Sequence, residues 1–314
     1  MISRRTGYLL VIGGSALFAS TGVMSKAAID GGITPIELAA VRSYGAALLL
    51  LLFLLPGVRR LGRADLVPLA LFALVGIVLA QGSYYQAISR MDIAVALVIV
   101  YTGPLIVAAY QRVFHRERLP LVGYLAMVLA VLGVAATVLG GAGGVGAISV
   151  VGILFAAVTA FAFAGQAIIG ARQPTSLPPL ARTGASMLIA ALIWLPLSPP
   201  WALPFDLVDA PTYLGGHIDA AIPVGAAIAF SIVFGSVVPY AMLVAGFVRI
   251  GAGAGSMAGM TEPIVAPVLA WFILGQALSA IQIAGVAATI ACVAIVERQR
   301  FRLQRSDEVL VAEL

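Results

Sequence analysis

Charge and thiols are what this sequence has least of. Only 10% of its 314 residues are Asp, Glu, Lys or Arg, against about 25% in a soluble domain, so no polar shell could cover a water-soluble globule of this size. One cysteine, Cys292, excludes an intrachain disulfide, and with only His115 and His217 beside it no clustered zinc-ligand set can form. The histidines and aspartates fall in connecting segments or at the edges of apolar runs, so an intramembrane protease lacks its base or its paired acids. No phosphate-cradling glycine loop is present, which argues against ATP-driven pumping, and nothing resembles the charged ring or repeated filter of a pore. The chain is read as a non-enzyme with no cofactor and no metal. A passive channel and an intramembrane enzyme are the alternatives of another class.

What abounds is apolar: 62% of the residues are hydrophobic and the mean hydropathy is +1.09. A helix crosses the hydrocarbon layer in about 20 residues, because each advances about 1.5 Å and pairs its amides internally. Ten runs meet that length: Tyr8 to Ile29, Pro35 to Leu55, Leu66 to Ile88, Ile93 to Val113, Leu119 to Val138, Ile148 to Gly170, Pro178 to Leu197, Ile218 to Phe247, Gly253 to Leu274 and Ser279 to Val296. The opening Ser3-Arg4-Arg5 resembles a twin-arginine signal, but the apolar run that follows exceeds signal-peptide length and reads as an uncleaved first span.

With ten spans nearly all the flanking bases fall on one face, from Arg4 and Arg5 through Arg59, Arg60, Arg63, Arg112, Arg116, Arg118, Arg172, Arg182 and Arg249 to the arginines after span 10. That face is the cytoplasm by the positive-inside rule, which places both termini there; Lys26 and Arg90 are the exceptions opposite. The pI of about 9.7 reflects these loops beside anionic lipid and implies no nucleic acid.

A shift of 159 positions lays Gly76 on Gly235, Arg90 on Arg249, Thr102 and Pro104 on Thr261 and Pro263, and Leu119 on Leu278. Five spans per half, an odd number, make the second copy enter from the opposite face, an arrangement characteristic of secondary transporters. The expected organisation is a first five-helix repeat over 1–140, a second, inverted repeat over 141–298 and a cytoplasmic tail over 299–314. The fold class is all-α integral membrane, ten transmembrane helices around a central cavity.

The ten-span pattern, Arg42 in span 2, Thr261-Glu262-Pro263, the run Ala270-Trp271-Phe272-Ile273-Leu274-Gly275-Gln276, and Gln282 with Gly285 together resemble the EamA-type carriers of the drug/metabolite transporter superfamily. The chain departs from the pattern at Gln276, where the family usually has Glu, and at Thr102-Gly103-Pro104, which lacks the acid of its repeat partner. The resemblance implies a basket of helices in which spans 1, 3, 4, 6, 8 and 9 line the cavity and spans 5 and 10 lie outside. It is greatest to exporters of neutral and aromatic amino acids. The expected function is therefore secondary active export of small organic metabolites, such amino acids first, by alternating access in a bacterial inner membrane, with a proton as a candidate coupling ion. A multidrug or other metabolite carrier of the same fold is the alternative, and the sequence leaves the oligomeric state open.

Polar side chains at membrane depth are costly unless paired or wetted, so the few present are site candidates. The substrate-binding candidates are Phe18 and Thr21 on span 1, Gln81, Tyr84 and Tyr85 on span 3, Tyr101 on span 4, Phe163 and Gln166 on span 6, and Tyr240 on span 8. A phenol joins an apolar face to a hydroxyl, which suits an amphipathic solute; packed core or the headgroup belt is the competing place for these rings. Glu262 is either a coupling acid, a substrate-ammonium partner or a structural brace. Arg42 reads through the resemblance as a structural charge, with a substrate carboxylate as its other possible partner. Pro104 and Pro263 each remove an amide donor inside a span and are candidate hinges, with a plain packing kink as the alternative.

Overall fold

The computed structural model describes residues 4–56, 62–114, 121–139, 149–170, 177–214, 217–218, 220–243, 246 and 262–312. The architecture is helical: α1 (Arg4–Asp30), α2 (Pro35–Leu54), α3 (Arg63–Ile88), α4 (Ile93–Val100), α5 (Gly103–Phe114), α6 (Leu121–Leu139), α7 (Val150–Gly170), α8 (Pro179–Trp194), α9 (Val224–Leu243), α10, described from Glu262 to Leu274, and α11 (Ala280–Ala312). Among the described residues five stretches are long and apolar enough to cross a membrane: Arg5–Asp30, Pro35–Leu54, Arg63–Ile88, Val95–Phe114 and Val224–Leu243. Shorter apolar helices are Val150–Gln166, Leu180–Trp194 and Ala280–Cys292. Glu117, Thr261 and the expected start of span 9 lie outside the described residues.

The exterior carries bare apolar side chains on many helices, including Leu48, Leu52, Leu121, Leu132, Leu192 and Val268. Such a surface matches lipid tails and would be unstable in water. The interior is built largely from small residues and branched aliphatics: Ala19, Val23, Leu38, Tyr85, Ile88, Ile93, Ala96, Ala266 and Ala270 form one core cluster. Small residues let helix backbones approach closely, which is how apolar helices associate when lipid competes equally for their surface. Between α6 and α11 the contact is tight enough that a Cβ on Gly133 would stand 2.8 Å from the Gly285 carbonyl.

Local chemistry sets the ends. Gly32, at φ +111°, turns the chain after α1. Thr34 then opens α2 with a reciprocal cap: its Oγ1 accepts from the Glu37 amide at 3.3 Å, Glu37 Oε2 accepts from the Thr34 amide at 2.8 Å, and Pro35 occupies the first turn. Gly275, at φ +71°, ends α10 by returning its amide to Trp271 and that of Gln276 to Ala270. The turn carries Gln276 to the start of α4, where its Oε1 accepts from the Ile93 amide at 3.2 Å.

The structure departs from the sequence expectation at three places. The all-α class is interrupted by a short antiparallel hairpin, Pro211–Leu214 against Ala220–Pro223, so the helix expected from Ile218 begins at Val224. The register sets Pro211 opposite Pro223, and two residues without amide hydrogens close the ladder there. The fourth expected span is broken at Tyr101 and Thr102, just before Pro104, and Thr102 Oγ1 donates to the Ile99 carbonyl at 2.7 Å. The last helix does not stop at Val296 but runs 33 residues to Ala312, about 50 Å, which exceeds the roughly 30 Å hydrocarbon layer.

Within α3 and α9 the backbone loosens into π-helix, over Phe72–Leu79 and Val233–Val237. Wide turns of this kind are rare and concentrate at functional positions. The two contain Gly76 and Gly235, the pair that the 159-residue shift superposes.

The hairpin packs firmly on α1: Thr212 is buried and its Oγ1 donates to the Ala27 carbonyl at 2.6 Å, whereas Tyr213 is 72% exposed. A thiol at Tyr213→Cys is therefore expected to react with a bulky maleimide much faster than one at Thr212→Cys. Equal labelling rates would show that the hairpin does not dock on α1.

Candidate functional site

The polar candidates from α1, α2, α3, α7 and α9, with Tyr101 and Glu262, converge in the interior. Arg42, on α2, is 4% exposed. Its Nε and Nη2 donate to Ser236 Oγ at 3.3 and 3.0 Å, and its guanidinium lies 5.4 Å from the centroid of Tyr85. Room for it is made by Gly235: a Cβ there would stand 2.6 Å from Nη2 and would collide with the Thr21 methyl. Tyr84 packs at a tilt on Tyr85, 5.7 Å between centroids. Its hydroxyl lies 2.8 Å from where a Cβ would stand on Gly22, and it feels the charges of both Arg42 and Glu262.

Tyr101, packed against the same core cluster as Tyr84, donates from its hydroxyl to Glu262 Oε2 at 2.6 Å. The break between α4 and α5 falls at Tyr101, at the end of α4. This bond joins the first half of the chain to the second, and one to an ionised carboxylate is worth about 1.5–3 kcal/mol when buried.

The two π-segments are satisfied in matching fashion. Gln166 Nε2, from α7, donates to the Gly76 carbonyl at 3.1 Å and to the Tyr240 hydroxyl at 3.2 Å. Thr21 Oγ1, from α1, has one hydrogen to share between the Phe234 carbonyl at 3.1 Å and the Leu17 carbonyl of its own helix at 2.9 Å. In a π-turn Phe234 would look five residues on, to Pro239, which has no hydrogen to give. The threonine supplies it. Phe18 meets the Tyr240 ring edge-on at 5.3 Å, and Gln81 stands one turn before Tyr85 on the same side of α3.

Of the sequence candidates, Phe18, Thr21, Gln81, Tyr84, Tyr85, Tyr101, Gln166, Tyr240, Arg42 and Glu262 thus belong to one connected group. Phe163 stands apart, 37% exposed beside Gly103. The backbone break falls just before Pro104, while Pro263 lies in the first turn of the described part of α10, and the side chains of both lie outside the described atoms. Two features escaped the sequence reading: the Ser83 and Thr159 hydroxyls meet at 2.7 Å across α3 and α7, and Gly22 is the recess that admits Tyr84. Neither a serine in a helix nor one glycine among 34 carries a signal before the helices are packed. Apart from this group, a polar depression of about 420 Å³ is lined by Lys26, Asp30, Ser89, Arg90, Met91, Asp92 and Gln276. In it Lys26 pairs with Asp30 at 2.7 Å, as their spacing of four predicts.

The profile of the EamA-like transporter family matches the chain twice, over residues 5–139 and 150–298. The chain belongs to the EamA-like transporter family. Members of that family are membrane transporters of small metabolites, and the bare apolar exterior accords with an integral membrane protein. A solved crystal structure, titled only as that of a protein, superposes with a TM-score of 0.58 over 96% of this chain and 99% of its own at 16% identity, a likeness of fold alone. No functionally curated protein matches the chain.

Removing the Tyr101 hydroxyl tests the bond between the halves. Tyr101→Phe is expected to destabilise the protein by about 1.5–3 kcal/mol, read as a lower Tm in detergent. An unchanged Tm would show that Glu262 does not depend on the phenol.

Proposed function

We propose that this EamA-family transporter is a secondary active exporter of small organic metabolites, neutral and aromatic amino acids first, working by alternating access. In this reading ten spans form two inverted repeats with both termini in the cytoplasm. The observation that carries it is the interior group itself: phenol rings of Tyr84, Tyr85, Tyr101 and Tyr240, one cation and one acid, gathered from both halves of the chain. Aromatic walls with few charges suit a neutral, partly apolar zwitterion. A phosphorylated sugar would call for several deep bases, and Arg42 is the only base in the group.

Support for the inverted repeat comes from paired contacts. Gly76 with Gln166 and Phe234 with Thr21 are the same junction in two copies, π-segment to neighbouring helix, with donors 145 positions apart and acceptors within one position of 159. The π-segments and the break before Pro104 interrupt helices within the described spans, and interruptions beside a midplane site are where repeats rock past one another. Protonation of Glu262 would weaken the bond that Tyr101 donates to it, which would join proton movement to rearrangement of the two halves.

Two measurements test the reading. Purified protein in liposomes is expected to exchange labelled L-phenylalanine or L-tryptophan saturably, with nucleosides and cationic drugs failing to compete; exchange of those solutes and not of amino acids would overturn the substrate class. Glu262→Gln is expected to abolish accumulation driven by a pH gradient while leaving equilibrium exchange. Wild-type pH dependence in that variant would remove the coupling role.

A further inference from the structure

Among the described residues Arg42 is a buried cation with no carboxylate hydrogen-bonded to it. Its hydrogen bonds among the described residues go to one neutral hydroxyl, Ser236 Oγ, which receives two of its five N–H donors. The Tyr85 ring lies beside it, and the Tyr84 and Tyr240 hydroxyls are near enough to act on its charge. Ring faces and hydroxyls ease the burial of a guanidinium but do not neutralise it. The one acid in the group, Glu262, takes the Tyr101 hydroxyl instead. Of the remaining acids in the sequence, Asp30, Glu37, Asp65, Asp92, Glu117, Asp206, Asp209 and Asp219 fall outside or at the ends of the apolar runs, and Glu297, Asp307, Glu308 and Glu313 follow the last of them. A second unmet demand lies nearby. Gln81 Oε1 is buried without a hydrogen-bond partner among the described residues, and Gln81 lies one turn before Tyr85, the residue whose ring Arg42 faces, on the same side of α3.

Both demands have an opposite in one chemical group. A buried guanidinium with free donors asks for a carboxylate, and a buried orphan acceptor asks for an N–H donor, preferably a charged one. We propose that Arg42 and Gln81 form the receptor for an α-amino-acid headgroup, Arg42 taking the carboxylate and Gln81 Oε1 the ammonium, with Ser236 and Gly235 orienting the guanidinium. This rests on the amino-acid reading above and specifies how it is achieved: the cation is a recognition element rather than a brace, and Glu262 is left free for other work.

The test uses binding to purified full-length protein of three probes that share a ring: L-phenylalanine, L-phenylalaninamide, which lacks the carboxylate, and 3-phenylpropionate, which lacks the ammonium. Wild type is expected to bind phenylalanine more tightly than either analogue. Arg42→Gln should weaken phenylalanine and phenylpropionate by about 10- to 100-fold and spare the amide. Gln81→Leu should weaken phenylalanine and the amide and spare phenylpropionate. A merely structural role predicts uniform losses, so uniform loss, no loss, or equal wild-type affinity for acid and amide overturns the proposal. If Arg42→Gln fails to fold, Ser236→Ala keeps the charge and removes its orienting oxygen. It should lower the ratio of phenylalanine to amide affinity, and an unchanged ratio in folded protein overturns the proposal. Failure of wild type to bind any of the three probes overturns the aromatic amino-acid reading and this receptor together, whereas tight phenylalanine binding without the crossed pattern overturns the receptor alone.

Discussion

A polar group inside a bilayer has no water to turn to, and this constraint orders the molecule. The chain carries few polar side chains at membrane depth, and most of those described point at one another: Arg42 to Ser236, Tyr101 to Glu262, Gln166 to Tyr240, Ser83 to Thr159. Because each partner lies on a different helix, satisfying these groups also fixes which helices are neighbours. The apolar remainder faces outward, where lipid accepts it without preference for position or orientation.

The same constraint explains why helix irregularity is confined to particular places. A π-turn or a proline break frees a carbonyl, and in hydrocarbon each freed carbonyl needs a donor. Thr21 and Gln166 are those donors for Phe234 and Gly76, and Thr102 serves Ile99 at the break between α4 and α5. These are side-chain bonds that a modest shift of one helix against another can exchange. Backbone ladders would not permit that. The interior therefore combines pairing of the freed carbonyls, which gives stability, with pairing that is exchangeable, which a protein that moves solutes requires.

Glycine and serine do much of the positioning. Gly235 leaves space for the Arg42 guanidinium, Gly22 admits the Tyr84 hydroxyl, and Ser236 offers the oxygen on which the cation is hung. The outward ends are held by a different device: Gly275 turns Gln276 back to accept from the first amide of α4, and the hairpin is tied to α1 through Thr212. At the Gln276 position the family's usual Glu would bring a charge where a neutral acceptor suffices.

What the sequence determined by itself was the class of molecule and its doubling. Hydropathy over runs of about 20 residues is a local property, so helices apolar enough to cross a membrane and their approximate ends were legible, as was the Lys26–Asp30 pair. The 159-residue shift through Gly76 and Gly235 marked a repeat that the family profile and the two π-segments later matched. The candidate polar residues were also legible, because rarity in an apolar chain singles them out. Their partners were not. That Tyr101 meets Glu262 across 161 positions, that Arg42 meets Ser236 and no acid, that Phe163 stands apart from Phe18's cluster, and that Ile218 to Pro223 forms strand rather than helix all depend on how helices rotate and pack. In an apolar interior many rotations bury nearly equal area, and only the simultaneous pairing of a few distant polar atoms selects one of them.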